Sequence, residues 1–226
     1  MKATPAQADR LHRFAHDLRN RLAALQQALG QLGAAPGAEG AALRTFAEQQ
    51  VFKALRHTEE LLDDLGVERG IGNLRPAHIA LRELVRAEAE HLRHRLERKG
   101  QALGTDLEDA RAMADPEWAA RAVSALLSNA SKFGHHGQPI HVSLKAEGGY
   151  AVLTVTDAGI GLDQEDLAAV FTRYAWLKGA PTAGEAQGRG TLARMRQWAE
   201  ASGGSLSARS EGPGKGASFT LRLPLA

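Results

Sequence analysis

The chain of 226 residues contains no cysteine, which excludes disulfides, thiolate zinc sites and cysteine nucleophiles. That absence fits a reducing compartment. No apolar run approaches the roughly 18 residues needed to span a bilayer. The opening MKATPAQADRLHRF lacks the apolar stretch of a secretory signal. These absences predict a soluble, cytoplasmic chain and are compatible with a membrane sensor upstream in a longer parent protein. An excess of one charge is missing too. Lys and Arg number 28 against 26 Asp and Glu, and the signs are interleaved, so no direct nucleic-acid partner is expected.

What is present is an ordinary globular balance, 43% hydrophobic and 24% charged, without internal repeat or low-complexity segment. The length suits one large domain or two small ones. Residues 4–32 read as one helix, with Thr4 and Gln7 as a capping box and Pro5 in the first turn. Leu11, Ala15, Leu18, Leu22, Leu25, Leu29 and Leu32 alternate steps of four and three, a heptad seam. Gly33, Pro36, Gly37 and Gly40 predict a loop. A second helix is expected from Ala41 to Leu65, with Ala47, Val51, Ala54, Thr58, Leu61 and Leu65 as its seam. Two antiparallel helices make a thin core, so a homodimeric four-helix bundle is expected.

Gly66, Gly70, Gly72 and Pro76 mark a boundary. The expected organisation is a helical hairpin over 1–68, a linker over 69–77 and a second domain over 78–226. In that domain the pattern predicts a helix over 79–98 and strands over 101–107 and 111–114. A helix capped by Asp115 follows, running through Pro116 to Phe133. Strands are expected over 140–146 and 150–156, a polar, mobile stretch over 172–187, a helix over 190–201, and a closing hairpin across GPGKG into SFTLRL. The fold class is α+β, a helical hairpin followed by an α/β sandwich.

Four short motifs carry the chemistry. In AHDLRNRLAAL, His16 follows the seam residue Ala15 and so lies beside the stripe, within reach of a donor. Asp17 can hold one ring nitrogen, which fixes the tautomer and leaves the other more nucleophilic. Asn20, one turn on, can orient a water. A plain surface histidine on a coiled coil fits the local sequence as well. His12 and His16 stand four apart, a zinc-clamp spacing with no third ligand evident.

In ALLSNASKF, Asn129 and Lys132 share a helix face. An amide oxygen suits Mg²⁺ and an ammonium suits phosphate, although an exposed helix end reads the same way. DAGIG follows a β-branched strand. Asp157 at its end can accept from an adenine amino group, where guanine would present a repelled carbonyl. Gly159 and Gly161 let backbone approach the base. A glycine-rich turn into a helix capped by Asp163 is the plainer alternative. In GRG, Gly188 and Gly190 precede a helix whose N-terminal amides can face anionic phosphates.

Taken in this order, HDLRNRLAAL, LLSNASKF, DAGIG and GRG resemble the H, N, G1 and G2 boxes of the sensor histidine kinases of bacterial two-component systems. VFTRY resembles the F box and GKGASFTLRLPL the terminal strand, so the resemblance runs from about Leu11 to Leu225. It implies a dimerisation and histidine-phosphotransfer hairpin joined to a Bergerat-type ATP-binding domain. It implies phosphorylation of His16, with Asp17 as base and Asn20 serving phosphatase or transfer chemistry. Asn129 would hold Mg²⁺, Lys132 would contact phosphate, and Asp157 would read adenine. Gly159, Gly161, Gly188 and Gly190 would shape the pocket. ATP and Mg²⁺ are the implied cofactors, and the partner is a response-regulator receiver domain. Arg21 stands where the family often has proline, which implies a straighter helix. Ala125 replaces a polar group one turn before Asn129, and GRGTLARM departs from the usual GLGLA. These departures keep two other readings open: a histidine phosphotransferase with a degenerate ATP domain, and a related ATPase or serine kinase.

Overall fold

A computed structural model of the chain describes residues 5–32, 37–64, 74–172, 175, 177–179, 182 and 190–226. The chain divides into two compact units, Met1–Gly72 and Asn73–Ala226.

In the first unit, α1 (Pro5–Leu32) and α2 (Gly37–Asp64) pack against each other as a hairpin. The single seam expected for α1 resolves into two stripes. Phe14, Leu18, Arg21, Leu25 and Ala28 make one stripe that is at least half-buried, whereas Leu11, Leu22 and Leu29 stay 40, 48 and 55% exposed. On α2 the buried or half-buried stripe is Gly40, Leu43, Ala47, Gln50, Ala54, His57 and Leu61, and Val51 lies outside it. The polar pair explains the shift. An Arg21 Nη lies 3.4 Å from His57 Nε2 between the helices, and charged or polar residues are what a hydrophobic-seam reading leaves out. α2 also begins at Gly37, four residues before the expected start. Gly40 is tolerated there because it is buried, a site where the missing side chain outweighs glycine's helix penalty of about 1 kcal/mol.

In the second unit, β1 (Ala77–Ala80) pairs antiparallel with β3 (Arg111–Ala114), Ile79 opposite Ala112. The helix expected over 79–98 takes in the last two residues of this strand, and the linker expected over 69–77 its first. Four residues with one large apolar side chain show too little alternation to read as a strand, and the pairing comes from thirty residues downstream. α3 (Leu81–Lys99) ends at Gly100, whose φ of 62° takes the left-handed cap. β2 (Leu103–Leu107) precedes β3, and α4 (Pro116–Phe133) follows it. The Asp115 carboxylate accepts the Glu117 and Trp118 N–H groups at 3.0 and 3.1 Å and so starts α4 where expected.

β4 (Ile140–Glu147), β5 (Tyr150–Asp157), α5 (Gln164–Ala169), α6 (Thr191–Ala201), β6 (Ser205–Arg209) and β7 (Ala217–Pro224) complete the chain. The main sheet has order β2-β4-β5-β7-β6. Only β2–β4 is parallel. Its strands alternate. Ile140, Val142, Leu144, Leu153, Val155, Leu221 and Leu223 are buried in one core with Leu126, Leu127 and Trp198 of the helices. The opposite face carries hydroxyl pairs, Thr154–Thr220 at 3.1 Å and Thr156–Ser218 at 2.8 Å. This is the helix-on-sheet sandwich expected from the sequence, and it leaves the ends of α4 and β5 side by side. Among the described residues, no helix is long and apolar enough to cross a membrane.

Candidate functional site

The junction of α4 and β5 is built from close backbone contacts. The Ile160 N–H donates to Phe133 O at 3.1 Å, and Gly159 bridges to Gly134. A Cβ on Gly159 would fall 2.0 Å from Phe133 O and 2.7 Å from an Asp157 carboxylate oxygen. Gly161 has φ +67°, and a Cβ there would meet Gly212 O at 2.1 Å. The β6–β7 turn closes from the other side, with Gly214 N–H donating to Ile160 O at 2.7 Å and Gly216 N–H to Gly159 O at 3.1 Å. The DAGIG loop is thus clamped between a helix end and a turn, at a separation only glycine allows.

This clamp forms the floor of an open cavity. Its walls are mainly apolar: Phe133, Ile160, Leu162, Val170, Leu177, Leu192 and Phe219. Asn129, Lys132, Asp157, Gly161 and Gly190 all line the cavity, so five residues singled out from the sequence meet in one place. Gly159 lies beneath the lining, at the clamp. Gly188 lies outside the described residues, as does most of the stretch 172–187. Gly190, with φ 122°, sits at the N-cap of α6, so the helix's first amides open toward the cavity rim.

Asp157 is the chemically unusual member. It is 6% exposed, and its Oδ1 has no hydrogen-bond partner among the described residues. Burial pushes its carboxyl up from 3.8 to about 6, against the smaller opposing pull of the Gly159 and Ala217 N–H groups. A buried acceptor with an unused oxygen at the wall of an apolar slot fits a flat ligand that donates an N–H, such as the amino edge of adenine.

The shift has a consequence for stability. Because the folded carboxyl holds its proton to higher pH than the unfolded one, its contribution is fully present below pH about 4. It is lost as pH rises through about 6. In the nucleotide-free protein, denaturant titrations should therefore show Asp157→Asn gaining stability over wild type between these pH values. The difference should be near zero at the acid end and on the order of 3 kcal/mol above pH 7. A constant difference across the range would contradict the buried, ionisable assignment.

In the helical hairpin, His16 is exposed, its side chain 65% accessible. Its Nδ1 lies 3.4 Å from an Asp17 carboxylate oxygen and 3.3 Å from Asn20 Nδ2. Both neighbours address the same ring nitrogen. The two exclude one another: Nδ1–H donating to Asp17 leaves the Nε2 lone pair open, whereas an Asn20 N–H donating to Nδ1 requires the proton on Nε2. His16, Asp17 and Asn20 thus form one cluster, and it belongs to the other unit from the cavity. Among the described residues, no group of three or more His, Cys, Asp or Glu side chains is arranged to hold a metal ion.

Sequence reasoning missed a buried polar group behind the cavity. Lys99 Nζ donates to Ser131 O and Thr182 Oγ1, both at 2.6 Å. Gln101 Nε2 donates to Ser131 O, Gly134 O and His135 O at 3.1 to 3.2 Å. Together they satisfy the last carbonyls of α4, where a cation also suits the helix dipole. A left-handed cap followed by a polar residue at Gln101 is the only local signal, and it does not say what the side chains reach.

The comparisons with known proteins agree with this geometry. Residues 114–226 match the family described as histidine kinase-, DNA gyrase B-, and HSP90-like ATPase. The chain is 33% identical over 115 residues to the sensor-like histidine kinase SenX3 of Mycolicibacterium smegmatis, covering 50% of this chain and 29% of that protein. It is 29% identical over 216 residues to the sensor histidine kinase MtrB of Mycobacterium tuberculosis, covering 93% of this chain and 38% of that protein. It therefore spans less than two-fifths of the length of either relative. Among solved structures, the mycobacterial sensor histidine kinase MprB superposes with TM-score 0.59 at 25% identity, over 66% of this chain and 98% of that one. The chain belongs to the histidine kinase-, DNA gyrase B- and HSP90-like ATPase family, and within it its likeness is to the sensor histidine kinases.

Proposed function

We propose that the chain is an ATP-dependent protein histidine kinase. It phosphorylates itself on His16 and passes the group to an aspartate of a response-regulator receiver domain. The observation that carries this reading is the exposed imidazole whose Nδ1 lies 3.4 Å from the Asp17 carboxylate, a pairing that holds the proton on Nδ1 and leaves Nε2 free to attack. A family ATPase fold alone does not require such a histidine.

In the proposed reaction, Nε2 attacks the γ-phosphorus of ATP as the bond to the β–γ bridging oxygen breaks and ADP leaves. The Nδ1 proton passes toward Asp17, so the phosphorylated ring ends neutral. The chain's part is positioning and charge neutralisation, as phosphoryl transfer requires. Asp157 accepts from the adenine amino group, Lys132 and the first amides of α6 face the phosphates, and Gly159 and Gly161 set the depth of the base slot. Gly188 would join Gly190 at the phosphates. Asn129 would hold Mg²⁺ through its side-chain oxygen, an atom of the hard type that ion takes. The metal would supply neutralisation of charge building on the phosphate oxygens.

The exposed Leu11, Leu22 and Leu29 on α1, with Phe46, Val51 and Leu55 on α2, support pairing of two hairpins into a homodimeric four-helix bundle. A cytoplasmic setting and a sensor module outside this chain complete the reading. Calorimetric titration with Mg·ATP tests it. Saturable heat, absent with GTP, is expected. A flat trace would remove the kinase and favour a relay protein that moves phosphoryl groups without nucleotide.

A further inference from the structure

Two buried charged residues, Asp166 and Lys99, are both about 5% exposed and have no part in the phosphoryl-transfer scheme above. Each reaches the same stretch of chain. The Asp166 carboxylate accepts the Lys178 backbone N–H, with both oxygens at 3.2 Å. The Lys178 ammonium is held by Asp163 at 2.8 Å and Glu165 at 2.7 Å, and the Asp163 carboxylate also caps α5 through Asp166 N–H at 2.8 Å. Four residues on, Thr182 is fixed by four contacts. Its N–H donates to Lys132 O at 3.0 Å, its hydroxyl lies 2.8 Å from Gly134 O and 3.1 Å from Lys132 O, and it accepts from Lys99 Nζ at 2.6 Å.

Leu177 and Gly179, either side of Lys178, line the cavity. A Cβ on Gly179 would meet the Ile160 side chain at 2.5 Å, so this backbone lies flat against the DAGIG loop.

We propose that Asp166 and Lys99 are positioning residues that fasten Lys178 and Thr182, holding Leu177 and Gly179 as a wall of the purine slot. The inference rests on the reading of this cavity as the adenine site. Releasing the wall reduces the fraction of molecules competent to bind the base, and apparent affinity falls by that fraction. The phosphate contacts come from α4 and α6, and the Asp166 carboxylate is bonded to Lys178 rather than to those helices.

The test uses the full chain. Hydrogen exchange in the nucleotide-free protein should show the Lys178 and Thr182 amides protected, with protection at Lys178 lost in Asp166→Ala and at Thr182 lost in Thr182→Val or Lys99→Met. Each variant should bind Mg·ATP about tenfold more weakly, and Asp166→Ala, whose carboxylate holds Lys178 alone, should bind inorganic tripolyphosphate, which has no base, as wild type does. Thr182→Val removes one hydroxyl at constant shape and guards against Lys99→Met failing to fold. Free exchange of both amides in wild type would overturn the proposal. So would faster exchange with unchanged ATP affinity, or equal loss of both ligands in Asp166→Ala. If wild type binds tripolyphosphate but not ATP, the adenine reading itself fails. If wild type binds ATP and every variant binds it equally, only this inference fails.

Discussion

His16→Ala should abolish phosphoryl incorporation from ATP, to below about a thousandth of the wild-type rate, while leaving Mg·ATP affinity within about twofold. The first effect follows from the role of His16 as the attacking group, its Nδ1 lying 3.4 Å from the Asp17 carboxylate and its Nε2 open in the tautomer which that pairing favours. The second follows because every residue lining the cavity lies between Asn129 and Phe219, in the other compact unit. Filter-binding of labelled protein measures the first and calorimetry the second. Asp17→Asn should retain ATP binding and slow incorporation by a smaller factor, about 10²-fold, since it removes a proton acceptor rather than the nucleophile. Robust incorporation in His16→Ala would show that the phosphoryl group goes elsewhere.

Asp157→Asn should move binding and stability in opposite directions. A charge-assisted hydrogen bond is worth about 1.5–3 kcal/mol, so ATP affinity should fall about 10- to 100-fold. The nucleotide-free fold should become more stable, because at neutral pH the wild type carries an ionised carboxylate whose burial opposes ionisation. A purely structural aspartate would lose stability on this change. A functional one that is kept at a cost to the fold gains it. Discrimination against GTP should also narrow, since the carboxamide no longer repels the guanine carbonyl. Weaker binding together with a less stable fold would place Asp157 in the scaffold.

Much of this arrangement was legible in the sequence because its signals are local. Asp115-Pro116 starts α4, the alternation of VLTVT makes β5, and the glycines of DAGIG sit where backbone approaches within a distance that no Cβ permits. What could not be read was set by distant partners. β1 is a strand because β3 lies beside it. The seam of α1 turned because Arg21 and His57 meet across 36 residues. Lys99 and Gln101 look like a solvated helix end, yet both are buried against α4. Asp166 reads as one more acid in a helix's first turn, and its role depends on a backbone N–H twelve residues later. The apolar half of the cavity, Val170, Leu177, Leu192 and Phe219, carries no motif because any residue of the right volume fills a wall.

Incubating the full chain with Mg²⁺ and γ-labelled ATP, then locating the label by peptide, bears most directly on the claim that a nucleotide bound beside Asp157 serves the imidazole of the helical hairpin. The account predicts label that survives alkali, disappears in acid and maps to His16. Acid-stable label on a serine or threonine, or ATP turned over with no label on the chain at all, would contradict it.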